Sequence, residues 1–134
     1  MIIENYTIGV HGIVFKLKFR DNLTLIDGDS GIGKTMLFKQ IRNDALVNKP
    51  NIVCINKDNG TAIDNILKSN KNKVIVIDNA EIILNMRNRL FVSLDKNNQY
   101  IIFTHTTRGY KPNKYSFTEL VIEGKKGRLD YSLD

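Results

Sequence analysis

Residues 28–35 carry three glycines, a lysine and a threonine at a spacing that suits one kind of chemistry. They follow the pattern G-x-x-x-x-G-K-[ST] at each specified position. Glycines allow positive φ angles and close approach, so backbone N–H groups can converge on an anion. The lysine adds a point charge for phosphate, and the threonine hydroxyl is a ligand for Mg²⁺. The predicted nucleotide-binding residues are Gly28, Asp29, Ser30, Gly31, Ile32, Gly33, Lys34 and Thr35.

The segments on either side of this loop suit the same interpretation. "NLTLID" predicts a strand before it, and "GKTMLFKQIRNDAL" predicts a helix after it with Leu37, Ile41 and Ala45 on one apolar stripe. An anion in the loop would then lie at a helix N-terminus, where backbone N–H groups and the helix dipole favour negative charge. The alternative is an ordinary glycine-rich turn between a strand and a helix.

A second candidate residue follows the run "KVIVID", which ends in Asp78. Such a β-branched run is typical of a strand buried on both faces of a parallel sheet. A carboxylate at the end of that strand can hold magnesium together with Thr35, while the alternative is a helix N-cap. We predict the magnesium role, which makes Thr35 and Asp78 the metal residues and ATP and Mg²⁺ the cofactors.

The set "GDSGIGKT", "VIVID" and "IIFTH" resembles the additional-strand class of P-loop ATPases, in the form of a minimal ABC-type, SMC-like or AAA-like core. The resemblance implies that "QYIIFT" forms a strand between the phosphate-loop strand and the strand that ends in Asp78. It also implies that Thr104 or His105 senses the γ-phosphate. The order of segments agrees over most of the chain, but only the phosphate loop is a specific motif.

The chain departs from that class next to Asp78. The class has Glu at the following position, whereas this chain has Asn79, which can orient a water but cannot accept its proton. Hydrolysis should therefore be slow unless another carboxylate serves, and Glu81 is the nearest; its alternative role is a first-turn helix residue. No L-S-G-G-Q-like segment lies between "NIVCIN" and "KVIVID", and we do not expect a lid domain of the AAA+ kind. The predicted catalytic residues are Lys34, Asp78, Glu81, Thr104 and His105.

Other candidates are weaker. Arg108 is the best of three arginines that could act in trans, ahead of Arg87 and Arg89, although a solvated surface role is the simpler one for each. "NKDN" at 56–59 resembles the guanine-specifying motif of GTPases but lacks its aspartate and precedes the acidic strand. A small-molecule kinase would need an arginine-rich lid, which the sequence does not supply. His11 and His105 are too separated for a metal site.

The length of the chain and the order of its segments predict the fold that holds these residues. Its 134 residues suffice for one domain, 1–134, without repeats or linkers. Strands alternate with helices in the middle, and β-like pairs open and close the chain. The predicted fold is α/β, a three-layer α/β/α P-loop NTPase-type sheet, mostly parallel, with antiparallel edge strands at both termini.

Composition bounds the partners and the compartment. The net charge of +6 favours an acidic partner such as nucleotide, nucleic acid or an acidic protein face. The single Cys54 lies in an apolar run and predicts a small core residue in a reducing compartment. Neither a signal peptide nor a membrane-spanning run is evident, so we expect a cytoplasmic protein with no membrane partner.

These observations predict an ATP·Mg²⁺-binding, ATPase-like protein that acts as a nucleotide-dependent switch, with weak or partner-stimulated hydrolysis. Its partner would be another protein or a second copy of the chain. The alternative is a non-hydrolysing nucleotide-binding or interaction module, for example a subunit of a DNA-associated ATPase complex. Asn79 favours this alternative.

Overall fold

The computed structural model describes residues 1–27, 33–56, 58, 63–78, 95–104 and 116–131. Their secondary structure, in chain order, is β1 (Asn5–Val10), β2 (Ile13–Lys18), β3 (Leu23–Asp27), α1 (Lys34–Val47), β4 (Ile52–Ile55), α2 (Ile63–Ser69), β5 (Val74–Ile77), β6 (Gln99–Phe103), β7 (Ser116–Glu123) and β8 (Lys126–Asp130). Each of these elements lies where the sequence pattern predicts a strand or a helix. The segment "AEIILNMRNRLFVSLD" at 80–95 also predicts a helix, and most of that range lies outside the described residues.

The strands of the described ranges form a single sheet with the order β1-β2-β8-β7-β3-β6-β5-β4. The strand β3 pairs in parallel with β6 and β7, and β5 pairs in parallel with β4 and β6. The pairs β1–β2 and β7–β8 are antiparallel, and β2 joins β8 in parallel. The sheet is therefore mixed, and β6 lies between β3 and β5, the position that the resemblance implied for it.

The predicted three-layer α/β/α arrangement, with a mostly parallel P-loop NTPase-type sheet, is wrong. Strands hold 46% of the described residues, against two short helices, and the eight-stranded sheet is curled. The physical reason lies in the two chain ends. Their hairpins extend the sheet by three strands beyond β7, and the curl brings β1 into contact with α1. Strands thus cover part of the helix, where a layered fold would place further helices on a flatter sheet.

The core on the α1 side of the sheet is built by the alternation that the sequence shows. In β1 the side chains of Tyr6, Ile8 and Val10 are buried, while the residues between them are exposed. The helix α1 adds Leu37, Phe38 and Ile41 to the same core, and the rings of Phe38 and Phe103 meet edge to face with centroids 6.5 Å apart. Burial of these apolar groups is the main force that holds the hairpin and the helix together.

The β1–β2 and β7–β8 hairpins lie side by side at their turns. His11 and Gly12 have φ angles of 49° and 80°, and Gly124 has a φ of 62°, a conformation that glycine adopts without strain. The backbone N–H of Val14 donates to the carbonyl of Lys125 at 2.9 Å and so joins the two hairpins. His11 is thus a turn residue. At Gly127 a Cβ would lie 2.2 Å from Cδ1 of Phe15, so this position needs glycine.

Cys54 lies in β4 and packs, half-buried, against the core. Burial raises the pKa of its thiol to about 12, which keeps the group protonated and unreactive. This agrees with the predicted role as a small core residue. Within the described ranges, neither helix has the length and apolar character needed to cross a membrane.

One polar contact fastens β1 to α1. The hydroxyl of Tyr6 donates a hydrogen bond to the carboxylate of Asp44. Burial and this hydrogen bond raise the pKa of Tyr6 above its ordinary value, and the same bond lowers the pKa of Asp44 below 3.8. Because the folded-state pKa of Asp44 is lowered, its contribution to stability is present above pH 3.8 and is lost as pH falls through the folded value.

We expect Tyr6→Phe to lower the free energy of unfolding by about 1.5 kcal/mol at neutral pH, because a hydrogen bond to a charged acceptor is removed. Below pH 3.8 the difference from the unmodified protein should shrink, since the carboxylate becomes protonated in both. Urea titrations at neutral and acid pH measure this. Tyr131→Phe is the matched control: the Tyr131 hydroxyl donates to the neutral carbonyl of Lys18, so its loss should not depend on pH. A pH-independent loss for Tyr6→Phe contradicts the prediction.

Candidate functional site

Apart from Thr24 and Thr118, which lie within β3 and β7, the buried polar side chains of the described residues mark two opposite edges of the sheet. Such groups are costly to bury unless they have a partner, so their positions are informative. One pair, Asn98 and Gln99, lies at the amino end of β6. The other set lies where β3, β5 and β6 end, and consists of Lys34, Asp78 and Thr104.

The pair at the amino end of β6 has structural partners. The Gln99 side chain accepts hydrogen bonds from the backbone N–H groups of Ile2 and Ile3 and donates to the carbonyl of Ile3 at 2.8 Å. The Asn98 side chain accepts from the N–H of Lys73 at 3.0 Å and donates to the carbonyl of Asn70 at 2.9 Å. These amides tie down the N-terminal segment and the loop before β5, so this edge has a structural role.

The carboxyl edge brings three predicted elements together. Ile26 of β3 is in register with Phe103 of β6, and Ile77 of β5 is in register with Ile102. The residues that end or follow these strands, Asp27, Thr104 and Asp78, therefore share one edge. Adjacent strands lie about 4.8 Å apart, so β3 and β5 are separated by about 10 Å. A ligand of that size would span the edge.

Lys34 is the central residue of this edge. It begins α1, its side chain is only 6% exposed, and its Nζ donates a hydrogen bond to the carbonyl oxygen of Thr104 at 2.8 Å. The same Nζ lies 4.0 Å from Oδ1 of Asp27. A buried ammonium is costly unless oxygen atoms surround it, and these two oxygens provide that environment. An anion such as phosphate would meet the same need.

Gly33 shapes the start of α1. Its φ angle of 104° is in the left-handed region, which a residue with a Cβ rarely adopts. Its carbonyl accepts the first hydrogen bond of the helix, from the N–H of Leu37 at 2.9 Å. Glycine at this position lets the chain enter the helix directly after the loop, and so places Lys34 in the first turn.

Thr35 and Asp78 are the predicted metal ligands. Thr35 is the second residue of α1 and is exposed, while the side chain of Asp78 is 4% exposed at the end of β5. The backbone N–H of Asp78 donates to the carbonyl of Ile55 at 2.9 Å, which anchors this residue to β4. Hydroxyl and carboxylate oxygens are the hard ligands that Mg²⁺ takes, with water and phosphate oxygens completing its shell. The residue types at this edge therefore fit magnesium as a partial ligand set.

Thr104 lies at this edge through its backbone. Its N–H donates to the carbonyl of Ile26 at 3.0 Å and its carbonyl accepts from Lys34, so the residue links β6, β3 and α1. The resemblance implied a sensor at Thr104 or His105. The structure brings Thr104 to Lys34, while His105 lies outside the described residues.

Several predicted site residues lie outside the described part of the chain. They are the loop residues Gly28, Asp29, Ser30, Gly31 and Ile32, the candidate base Glu81 and its neighbour Asn79, and the arginines Arg87, Arg89 and Arg108. Their assignments stay predictions from the sequence.

Sequence reasoning missed Asp27. It ends β3, directly before the first glycine of the motif, and its carboxylate oxygen Oδ1 lies 4.0 Å from the Lys34 ammonium. A signal was available, because a carboxylate at the carboxyl end of the phosphate-loop strand shares an edge with whatever the loop binds. The contact of Lys34 with the Thr104 carbonyl had no such signal, since a backbone oxygen is present at each residue.

Comparison with known proteins does not place the chain in a family. No protein-family model matches it, and a search of curated proteins gives no match either.

Proposed function

We propose that the chain binds ATP·Mg²⁺ at the carboxyl edge of β3, β5 and β6 and acts as a nucleotide-dependent switch. Hydrolysis would be weak or stimulated by a partner. The observation that carries the proposal is the buried Lys34 ammonium at the start of α1, close to Asp27 and hydrogen-bonded to the Thr104 carbonyl. A fixed cation inside a glycine-rich motif, directly after Gly33, suits a bound polyphosphate.

Three features support binding at this edge. The motif at 28–35 is complete in sequence, and its last three residues lead into α1 as phosphate binding needs. The strand β6 lies between β3 and β5, which agrees with the strand order that the resemblance implies, although the layered fold it implied is not present. Asp78 directly follows the buried strand β5, at the same edge as Lys34.

Each residue has a defined task in this proposal. Lys34 would contact the β- and γ-phosphates, while Thr35 and Asp78 would hold the magnesium ion. The ion neutralises phosphate charge when it is bound. Thr104 positions Lys34 through its carbonyl. A γ-phosphate at this edge would compete with that carbonyl for the ammonium. Binding of ATP would therefore weaken the hydrogen bond between Lys34 and Thr104, directly after β6.

A switch needs a difference in contact free energy between two states and one partner. The release of Lys34 from Thr104 is one local change that nucleotide could cause here. We propose that a protein partner or a second copy of the chain binds one of the two states more tightly, and that this takes place in the cytoplasm. The second candidate function is a module that binds nucleotide without hydrolysis. Asn79 favours it, because an amide in the place of the usual Glu cannot accept a proton from water.

Titration of the protein with ATP, with and without Mg²⁺, tests the proposal when it is combined with native mass measurement of each mixture. We expect saturable binding of ATP that Mg²⁺ strengthens. If the partner is a second copy of the chain, the mass of the complex should change when ATP is added. Absence of saturable ATP binding by the folded protein overturns the proposal. Binding with no hydrolysis in a single-turnover experiment favours the second candidate.

A further inference from the structure

On the face of the sheet that points away from the α1 core, the burial and the charge of the side chains differ between the two halves of the sheet. Over β5 and β6 its side chains are buried and apolar, as at Ile75, Ile77 and Ile102. Over β2 and β8 the corresponding positions are exposed and mostly basic. Here Lys16 and Arg128 alternate with buried core residues, as the strand period of two requires. This half of the face is open and positively charged.

A hollow of about 590 Å³ lies in that open half, next to the two adjoining hairpin turns. We call it the basic hollow, and its lining residues are Gly12, Val14, Lys16, Glu123, Lys125, Lys126, Gly127 and Arg128. Val14 is 42% exposed and, with the two glycines, provides a low apolar floor. The cationic side chains stand around this floor, so the surface is shallow and accessible.

The charges around the basic hollow are only partly compensated. Arg128 pairs with Glu123 at 3.1 Å, but both side chains are exposed, so the pair is weak and easily replaced. Among the residues that the structure describes, Lys16, Lys125 and Lys126 have no carboxylate within 4.0 Å. Three lysines that lack a carboxylate partner among the described residues, on one small surface, produce a local positive potential that attracts a polyanion.

We propose that the basic hollow binds the phosphate backbone of duplex nucleic acid. Lysine is depleted in protein–protein interfaces and their centres are rich in aromatic residues, whereas protein–DNA interfaces are strongly positive. Among the residues that the structure describes, the lining of the hollow is lysine-rich and has no aromatic residue. Surfaces that hold single strands stack the bases on aromatic rings, so a lining without rings favours a duplex, held through its backbone without base readout.

This surface is separate from the residues assigned to ATP. None of the lining residues that the structure describes belongs to the motif at 28–35 or to the edge formed by Asp78 and Thr104. Duplex binding can therefore be present when ATP binding is absent, and the reverse.

The test measures the affinity of a fluorescent duplex for the protein over a series of salt concentrations, without nucleotide. The variant Lys16→Gln, Lys125→Gln, Lys126→Gln removes the three lysines of the hollow. The matched control, Lys39→Gln, Lys68→Gln, Lys96→Gln, removes three exposed lysines from α1, α2 and the loop before β6. Both have the same net charge, and circular dichroism verifies that both are folded.

We expect the slope of log affinity against log salt to fall by about 3 in the hollow variant, because each lost phosphate contact removes about 0.9. The control should keep most of the slope. If the slope falls equally in the two variants, the effect comes from net charge and not from the hollow, and the proposal is overturned. Tighter binding of a single strand, equal competition by polyglutamate, or no duplex binding at about 50 mM salt also overturns it.

Discussion

We expect Lys34→Met to weaken the binding of ATP·Mg²⁺ about 100-fold, a loss of about 2.7 kcal/mol. The ammonium is buried at the start of α1, where a phosphate would accept a charge-assisted hydrogen bond from it. Methionine keeps an unbranched side chain of similar length and removes only the charge and the donors. Calorimetric or fluorescence titration with ATP measures the change, with Mg²⁺ in excess.

The fold should survive this substitution. The carbonyl of Thr104 loses its donor, at a cost of about 1–3 kcal/mol, while the carboxylate of Asp27 is 28% exposed and keeps water as a partner. A thermal unfolding curve of the variant shows up to which temperature it is folded, and the titration is made below that temperature. Lys39→Met is the matched control, because Lys39 lies exposed on the same helix. The Lys39→Met variant should bind ATP with the affinity of the unmodified protein. An unchanged affinity in folded Lys34→Met would remove the phosphate-loop assignment.

Local patterns predicted the elements of this chain, but not their arrangement in layers. The run "KVIVID" predicted a strand buried on both faces, and the four residues of β5 are all buried. In "GIVFKLKF" the sequence predicts one dry and one wet face, with Val14 or Phe15, Leu17 and Phe19 on the dry face and Lys16 and Lys18 on the wet face. The structure buries Phe15 and Leu17 and leaves both lysines and Val14 exposed. Alternation does not say what the dry face packs against. Here the curl of the sheet packs β1 on α1, and curl depends on pairings between distant strands such as β2 and β8.

The site was predictable where residue type and strand direction act together. Parallel strands end at one edge, so the residues after "KVIVI" and "QYIIF" had to lie near each other, and Asp78 and Thr104 do. The contribution of Asp27 was open to the same argument but was missed. The hydrogen bond from Lys34 to the Thr104 carbonyl was not predictable, because its acceptor is a backbone atom and its geometry follows from the pairing of β3 with β6.

The second large effect concerns the chemistry beside Asp78. We expect Asn79→Glu to raise the single-turnover rate of ATP hydrolysis about 100-fold, the lower end of what a positioned general base contributes. Asn79 follows Asp78 in the sequence, and Asp78 is anchored at the end of β5 by its hydrogen bond to Ile55. A carboxylate there can accept the proton of the attacking water, whereas the amide can only orient that water. Hydrolysis of radiolabelled ATP with protein in excess measures the rate.

The matched control is Asn79→Gln, which has the length of glutamate but cannot accept a proton. A gain with Glu and none with Gln assigns the effect to proton transfer. Adding Asp78→Asn to the Glu variant should abolish the gain, because the magnesium ion would lose its predicted carboxylate ligand. If Gln and Glu give the same rate, the gain does not come from a base. If neither variant hydrolyses ATP while both bind it, the missing base is not what limits the chain, and the non-hydrolysing module becomes the better assignment.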